Sequence, residues 1–135
     1  MVLANEATKI ILENFSDFSS SNRWQEHTEF WGEKKPGLCN ELRAFSLFIM
    51  DVLLQNKNDS KTKSMFDLIE YLILNGDKQL QDAVKTSVLE GLINYSSSGR
   101  LKPEQFIHYL GPKSKAYCKA WDEFTGVKTP GLWDE

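Results

Sequence analysis

The chain has 135 residues, 41% of them hydrophobic, and this size and composition predict one domain, residues 1–135, with its own apolar core. Its net charge of −3 excludes general binding of nucleic acid, because neutralising phosphates needs a basic face. The most apolar run, residues 44–54, is interrupted by Ser46 and Asp51 and falls short of the roughly 20 residues that cross a bilayer, so we expect no membrane insertion.

Apolar residues recur at helical spacing along almost the whole chain, which predicts an all-α fold, a single compact bundle of about six to seven helices. The first helix begins near the start of the chain, where no secretory signal pattern is present. A polar break follows it, and Asn22 is the expected N-cap of the second helix. Pro36 suits the first turn of a third helix, residues 37–55. Apolar groups surround the second half of this helix, so it should be the central, buried one.

A compact turn is predicted at Asn75, Gly76 and Asp77, after a fourth helix that is capped by Asp59 or Ser60. Asn75 or Gly76 can adopt the left-handed conformation that ends a helix, and Asp77 can cap the fifth helix. The fourth and fifth helices should therefore form a central antiparallel hairpin, with a HEAT-like helix pair as a variant of this arrangement.

Gly91 lies inside the predicted fifth helix, where glycine costs about 1 kcal/mol relative to alanine. A stripe of small residues offsets this cost if another helix crosses closely at that point. The sequence therefore predicts a helix crossing at Gly91.

The last part of the chain is predicted to hold a short helix that starts at Pro103 and a final helix that starts at Pro112. Three aromatic residues share one face of the final helix and should dock it, namely Tyr117, Trp121 and Phe124. Glycine and proline residues then turn the tail, so that Trp133 can fold back onto the body. We interpret Trp133 as a buried anchor, and the alternative is an exposed aromatic hot spot for a partner.

Few side chains in the sequence suit catalysis. His27 and His108 lie on different segments, and neither belongs to a metal-binding helix motif. Cys39 and Cys118 are expected to be buried thiols, which suits a reducing, cytoplasmic compartment. We therefore predict no enzyme, and no catalytic residue, cofactor or metal. An enzyme of an unrecognised type would instead place a histidine in a pocket together with carboxylates.

Acidic residues indicate candidate surfaces for a partner. The predicted second helix carries Glu26, Glu29 and Glu33 on one face, where like charges destabilise a helix by a few tenths of a kcal/mol per pair. Either a cationic partner docks there, or the face is simply solvated. Asp122 and Glu123 lie in the last turn of the final helix, where the dipole disfavours negative charge, so we expect a basic group beside them. The candidate partner-binding residues are Glu26, Glu29, Glu33, Asp122, Glu123 and Trp133.

Three stretches, "PGLCNELRAF", "FDLIEYLILNGDKQLQDAVKTSVLEGL" and "YLGPKSKAYCKAWDEFTGVKTPGLW", resemble a family of small helical bacterial proteins that look like immunity proteins of contact-dependent growth inhibition or polymorphic toxin systems. The resemblance implies a protein that neutralises a cognate toxin domain by covering its active site. An acidic inhibitor suits a nuclease toxin, because a nuclease surface is cationic. The alternative is a non-catalytic helical adaptor or regulatory module. The sequence does not predict the oligomeric state.

Overall fold

A computed structural model describes residues 1–57 and 59–134, and over these residues the chain forms eight α-helices and no β-strand. The elements in chain order are a 3₁₀ turn (Ala4–Glu6), α1 (Ala7–Asn14), α2 (Ser16–Ser19), α3 (Asn22–Trp31), α4 (Leu38–Gln55), α5 (Asp59–Asn75), α6 (Lys78–Val84), a π-helical turn (Lys85–Leu89), α7 (Glu90–Ser97), two 3₁₀ turns (Pro103–Gln105 and Ile107–Tyr109) and α8 (Pro112–Thr125). The π-helical turn joins α6 to α7 in one continuous rod. The predicted all-α bundle is therefore confirmed. No helix in the described ranges has both the length and the apolar character needed to cross a bilayer.

The polar segment after α1 is partly helical rather than a simple break. Phe18 of α2 turns inward, and its ring centroid lies 5.2 Å from that of Phe45 on α4. Ser21 then caps α3, because its Oγ accepts a hydrogen bond of 3.3 Å from the backbone N–H of Trp24. The prediction of Asn22 as the N-cap is therefore wrong by one residue.

The predicted central position of α4 is confirmed. This helix contacts α1, α3, α5, α6, the π-helical turn and α7. Its N-cap is Gly37, so Pro36 precedes the helix instead of lying in its first turn. Asn56 ends the helix in the left-handed conformation, with a φ of 50°. The buried residues of α4 are Leu42, Ala44, Phe45, Ser46, Phe48, Ile49, Met50, Val52 and Leu53.

The turn between α5 and α6 is capped as predicted but does not use a left-handed residue. The Oδ1 atom of Asp77 accepts a hydrogen bond of 2.8 Å from the backbone N–H of Leu80. Neither Asn75 nor Gly76 has a positive φ, so the predicted left-handed end is wrong. Glycine is needed at position 76 for space, because a Cβ there would lie 2.5 Å from the carbonyl oxygen of Leu72.

The start of the chain is hydrogen-bonded to this same turn. The backbone N–H of Val2 donates to the carbonyl oxygen of Asn75 at 2.7 Å, and the N–H of Asp77 donates to the carbonyl oxygen of Val2 at 2.8 Å. The Oδ2 atom of Asp77 also accepts a hydrogen bond of 3.0 Å from the N–H of Ala4. Asp77 therefore fixes both the start of α6 and the segment before α1.

A carboxylate on α5 fixes the start of α8, which packs against α5, the π-helical turn and α7. The Glu70 carboxylate accepts hydrogen bonds from the backbone N–H of Lys113 at 2.8 Å and of Ser114 at 2.9 Å, and from the Ser114 hydroxyl at 2.8 Å. A Cβ at Gly111 would lie 2.6 Å from the Glu70 carboxyl group. A side chain at position 111 would therefore displace the Glu70 carboxylate from the start of α8.

The predicted short helix after Pro103 consists of two 3₁₀ turns. Phe106, between them, is fully buried in the core. The Nε2 atom of Gln105 donates to the carbonyl oxygen of Leu53 at 3.4 Å. The segment between α7 and α8 is thus held against α4.

A candidate partner-binding face on α3

α3 lies on the outside of the bundle and has no fully buried residue. Trp24, His27 and Trp31 are half-buried, and Trp24 packs against the hydrophobic core. The guanidinium of Arg23 makes a bidentate ion pair with Asp51 of α4, with an Nε–Oδ2 distance of 2.8 Å and an Nη2–Oδ1 distance of 3.1 Å. Because two hydrogen bonds define the geometry of this pair, it fixes the orientation of α3 on α4.

The structure places the predicted glutamates in two settings. Glu26 and Glu29 are exposed on α3. The helix ends at Trp31, and Gly32 follows with a φ of 56°, so Glu33 lies in the turn after the helix instead of on the predicted face. None of the three carboxylates forms an ion pair or hydrogen bond within residues 1–57 and 59–134. Glu26 interacts electrostatically with Arg23, and all three carboxylates are exposed to solvent or to a partner.

Phe30 is the aromatic residue that the sequence analysis did not place. Its side chain is 81% exposed, and its only ring contact among the described residues is an edge-on one with Trp31, at a centroid distance of 5.4 Å. Glu29 and Phe30 follow Glu26 by three and four positions, so both are neighbours of Glu26 on the helix surface. Phe30 does not share the helix face of the other apolar residues of α3, and this position in the sequence pattern could have indicated that its side chain is exposed. We call Glu26, Glu29 and Phe30 the α3 face.

A groove of about 450 Å³ runs beside this face, between α3 and α4. His27 and Glu26 line it together with Arg43 of α4. The His27 ring stacks on Trp24 with centroids 4.9 Å apart, and its Nε2 atom is buried without a hydrogen-bond partner in the described part of the chain. Burial lowers the pKa of His27, and the charge of Glu41 partly opposes this shift. The imidazole is therefore biased towards its neutral form.

The other histidine lies elsewhere. His108 is exposed and lines a separate depression with Asp59 and Glu104. Each imidazole therefore shares a depression with at least one carboxylate, which is the arrangement expected of an enzyme of an unrecognised type, so the absence of catalysis stays a prediction. The residues that the structure describes contain no cluster of three or more histidine, cysteine or acidic side chains that could hold a metal ion.

The two thiols differ in their environments, so the prediction of two buried cysteines is only half right. Cys118 is buried in the core, whereas Cys39 is exposed near the start of α4. Burial, reinforced by the charge of Asp122, raises the pKa of the Cys118 thiol to about 12. Cys39 is therefore the reactive thiol of the folded chain.

Asp122 is not available to a partner, which corrects its assignment as a partner-binding residue. It is 0% exposed. Its carboxylate accepts hydrogen bonds from the backbone N–H of Thr129 at 2.7 Å, the Thr129 hydroxyl at 2.8 Å and the indole N–H of Trp133 at 3.1 Å. The expected basic neighbour is thus replaced by three neutral donors, which stabilise the carboxylate without a cation.

Trp133 is placed as an anchor of the C-terminal tail. It is half-buried and packs against the hydrophobic core, and the Nζ atom of Lys119 lies 5.4 Å from its ring centroid. This position favours the anchor interpretation over an exposed hot spot. Glu123 is exposed. Tyr117 and Trp121 pack against the core, but Phe124 is 81% exposed, so the prediction that it docks the final helix is wrong.

Fold and surface together define a small all-α domain with an exposed acidic and aromatic helix face. A scan of protein-family models matches residues 8–126 to a domain of unknown function, DUF7674, and the chain belongs to that family. Searches of curated proteins and of solved structures each gave no significant match. The family description states no activity.

Proposed function

We propose that this protein is a non-catalytic binding domain that docks a cationic protein partner on the α3 face. The observation that carries the proposal is Phe30, 81% exposed beside the exposed Glu26 and Glu29, whose carboxylates form no ion pair or hydrogen bond in the described residues. Burying a phenylalanine side chain in an interface contributes about 1.5–3 kcal/mol, whereas leaving it in water gains nothing. The adjacent carboxylates favour a partner with a positive surface.

The shape of α3 supports docking by this helix. α3 presents one side to solvent and is held on the other by the Arg23–Asp51 ion pair and by the half-buried ring of Trp24. A rigid, pre-oriented helix loses little conformational entropy when it binds. Unpaired rim charges mainly speed encounter with an oppositely charged surface.

The partner that we favour is a bacterial toxin domain, which would make this protein a cytoplasmic immunity protein. The sequence resemblance supports this class, and an acidic face suits the cationic surface of a nuclease toxin. The α3 face would cover the active site of the toxin. The alternative is a helical adaptor or regulatory module with a different protein partner.

The test is co-expression with the toxin domain encoded beside this protein, with cell growth and the dissociation constant of the purified pair as the two measurements. Phe30→Ala should weaken binding by at least about tenfold, as hot-spot aromatics do, and should abolish rescue of growth. Phe124→Ala is the matched control, because Phe124 is equally exposed on α8, away from the α3 face. It should bind as the wild type does.

Glu26→Gln combined with Glu29→Gln tests the charges separately. This variant should lower the association rate at low salt and have a smaller effect at high salt, because salt screens steering. If Phe124→Ala weakens the complex while Phe30→Ala does not, the α3 face is not the interface. If the neighbouring gene encodes no protein that binds, the immunity role is wrong, and a different partner bound through Phe30 would identify an adaptor.

A further inference from the structure

We propose that a second groove, between α4 and α7, binds a small organic anion through a phosphate or carboxylate group. This groove has a volume of about 520 Å³, within the range of small-molecule sites. We call it the arginine groove, and its polar lining includes Asn40, Arg43, Ser87, Asn94 and Arg100. Asn40 and Arg43 also line the groove beside the α3 face, so the two sites adjoin. The test below uses small anions and does not depend on the proposed protein partner.

The charges of the arginine groove are all of one sign. The chain is acidic overall, with a net charge of −3, yet no aspartate or glutamate among residues 1–57 and 59–134 lines this groove. It holds two of the three arginines of the chain, Arg43 and Arg100, and no lysine. Guanidinium groups bind carboxylate and phosphate oxygens in pairs, which a lysine ammonium does not do. The composition of the lining therefore favours an oxyanion.

Both guanidinium groups are free to bind a ligand. Neither Arg43 nor Arg100 forms an ion pair with a carboxylate in the described residues, in contrast to Arg23, which is satisfied by Asp51. The guanidinium carbon of Arg100 lies 5.1 Å from the ring centroid of Tyr95, so stacking positions it without neutralising its charge.

Neutral donors complete the lining. The side chains of Asn40, Ser87 and Asn94 make no hydrogen bond within residues 1–57 and 59–134, and each can donate to an oxyanion. Tyr95 is held in place, because its hydroxyl and the Ser46 hydroxyl lie 2.9 Å apart in a hydrogen bond. Free donors beside a fixed ring are typical of the few polar groups that orient a bound small molecule.

The backbone at the arginine groove is unusual. Thr86 and Ser87, which both line it, belong to the π-helical turn Lys85–Leu89 between α6 and α7. Single π-helical turns are less stable than regular α-helix and are often found at functional sites. Here the turn places two hydroxyl side chains at the groove, next to the arginines.

Gly91 lines the same groove and is not required by packing. A Cβ at Gly91 would lie 3.5 Å from the Ser46 hydroxyl oxygen and 3.7 Å from the Tyr95 hydroxyl oxygen, which are ordinary contact distances. Alanine would therefore fit, although the predicted crossing with α4 is present at this position. Glycine inside a helix is the less stable choice. The crossing of α7 with α4 does not require glycine at position 91, whereas a groove that holds a ligand benefits from the space that Gly91 leaves.

Cys39 provides the measurement, because this exposed thiol lines the arginine groove while Cys118 is buried. The experiment follows the rate at which a neutral alkylating reagent modifies Cys39 in the folded protein. Inorganic pyrophosphate is the phosphate probe and citrate is the carboxylate probe, each compared with sodium chloride at equal ionic strength. We expect saturable protection of Cys39 by one probe or by both, which also distinguishes the two chemistries.

Three variants locate the binding. Arg43→Gln should weaken the protection by about tenfold or more, as expected for the loss of a charged hydrogen-bonding group, and Arg43→Lys should recover only part of it. Gly91→Ala should weaken the protection while raising the melting temperature. Lys63→Gln is the control for net charge, because Lys63 is exposed on α5 and does not line the groove, and its protection should match the wild type.

Several results would overturn the proposal. One is the absence of saturable protection by either probe, and another is equal protection of Arg43→Gln and the wild type. Protection by a hexaglutamate peptide at much lower concentrations than by either small anion would assign the groove to an acidic protein segment. Circular dichroism of each variant checks that the fold is intact before its protection is compared.

Discussion

Asp122 joins the end of α8 to the chain that follows it. An ionised carboxylate has no hydrogen-bond donor and acts only as an acceptor. Asp122 accepts three hydrogen bonds, two from Thr129 and one from Trp133. Its position at the carboxyl end of a helix is unfavourable for a negative charge. Donors on the tail offset that cost, so the tail and the last turn of α8 stabilise each other.

Replacing Asp122 with asparagine should therefore release the tail. One acceptor is lost and an amide N–H₂ then faces the donors, so we expect the free energy of unfolding to fall by about 1.5–3 kcal/mol. Urea unfolding measures the stability, and hydrogen exchange at the Thr129 amide reports the local opening. Glu123→Gln is the matched control on the exposed neighbouring residue. Equal stability of the two variants would show that Asp122 does not hold the tail.

The buried imidazole of His27 should make stability depend on pH. Its pKa in the folded state is lowered from the ordinary value of 6.5, mainly by burial. Neutral His27 therefore suits the fold, and this contribution is fully present above pH 6.5 and is lost as the pH falls through the folded pKa. Urea unfolding at pH values above and below 6.5 should show a smaller loss for His27→Phe than for the wild type.

The control for this experiment is His108→Phe, which removes the exposed imidazole on another part of the surface. Its pH dependence should still contain the His27 contribution and so resemble that of the wild type in this window. If His27→Phe loses as much stability on acidification as the wild type does, then the His27 imidazole is not held neutral by the fold.

Helices such as α4, α5 and α8 could be predicted from the sequence, because their apolar residues follow a regular helical period. Only α8 also begins at the predicted proline, whereas α5 begins at Asp59, so the predicted caps Asp59 and Ser60 lie within that helix. The Asp77 cap was also predictable. The exposed candidates Glu26, Glu29 and Glu123 were placed correctly, since charged residues are seldom buried. These signals are local, so they do not depend on knowing the tertiary contacts.

Other features depend on contacts between distant parts of the chain. Asp122 is buried because Thr129 and Trp133 fold back on it, and no spacing rule shows this. Gly76 is required by the Leu72 carbonyl and not by its own φ. The π-helical turn shifts the faces of α7 relative to α6, so one helical period cannot describe the whole rod. The arginine groove, formed across this rod and α4, was missed for that reason.

Glu70 allows a test of how one helix fixes the start of another. Its carboxylate receives three hydrogen bonds at the amino end of α8, where the helix dipole also favours negative charge. Glu70→Gln keeps the size of the side chain but removes the charge, so we expect a loss of about 0.5–1 kcal/mol in the free energy of unfolding. Glu104→Gln, at an exposed site, is the control, and an equal loss there would contradict a specific role for Glu70.

The molecule as a whole has one continuous hydrophobic core, to which α1 to α8 and the C-terminal tail all contribute. Val2 at the start and Leu132 near the end both belong to it. The two surfaces proposed for binding lie outside this core, on α3 and between α4 and α7. Their side chains can therefore be changed with little effect on packing, which makes the binding tests interpretable.

A single core predicts a single cooperative unfolding transition. The four tryptophans of the chain lie in α3, in α8 and in the tail, so their fluorescence reports on both ends of the sequence. We expect the urea transitions followed by tryptophan fluorescence and by far-ultraviolet circular dichroism to coincide, as for most domains of this size. Transitions with different midpoints would show that the chain contains two units of different stability.

The carboxylate of Glu70 has a consequence for fragments of the protein. The first turn of α8 is completed by the Glu70 side chain, which accepts a hydrogen bond from Ser114, 44 positions later in the chain. A synthetic peptide of residues Pro112–Thr125 lacks that partner, and isolated helices shorter than about 12–15 residues are marginal in water. Such a peptide should be mostly disordered on its own, so α8 owes its shape to the rest of the protein and cannot be studied, or transplanted, without α5.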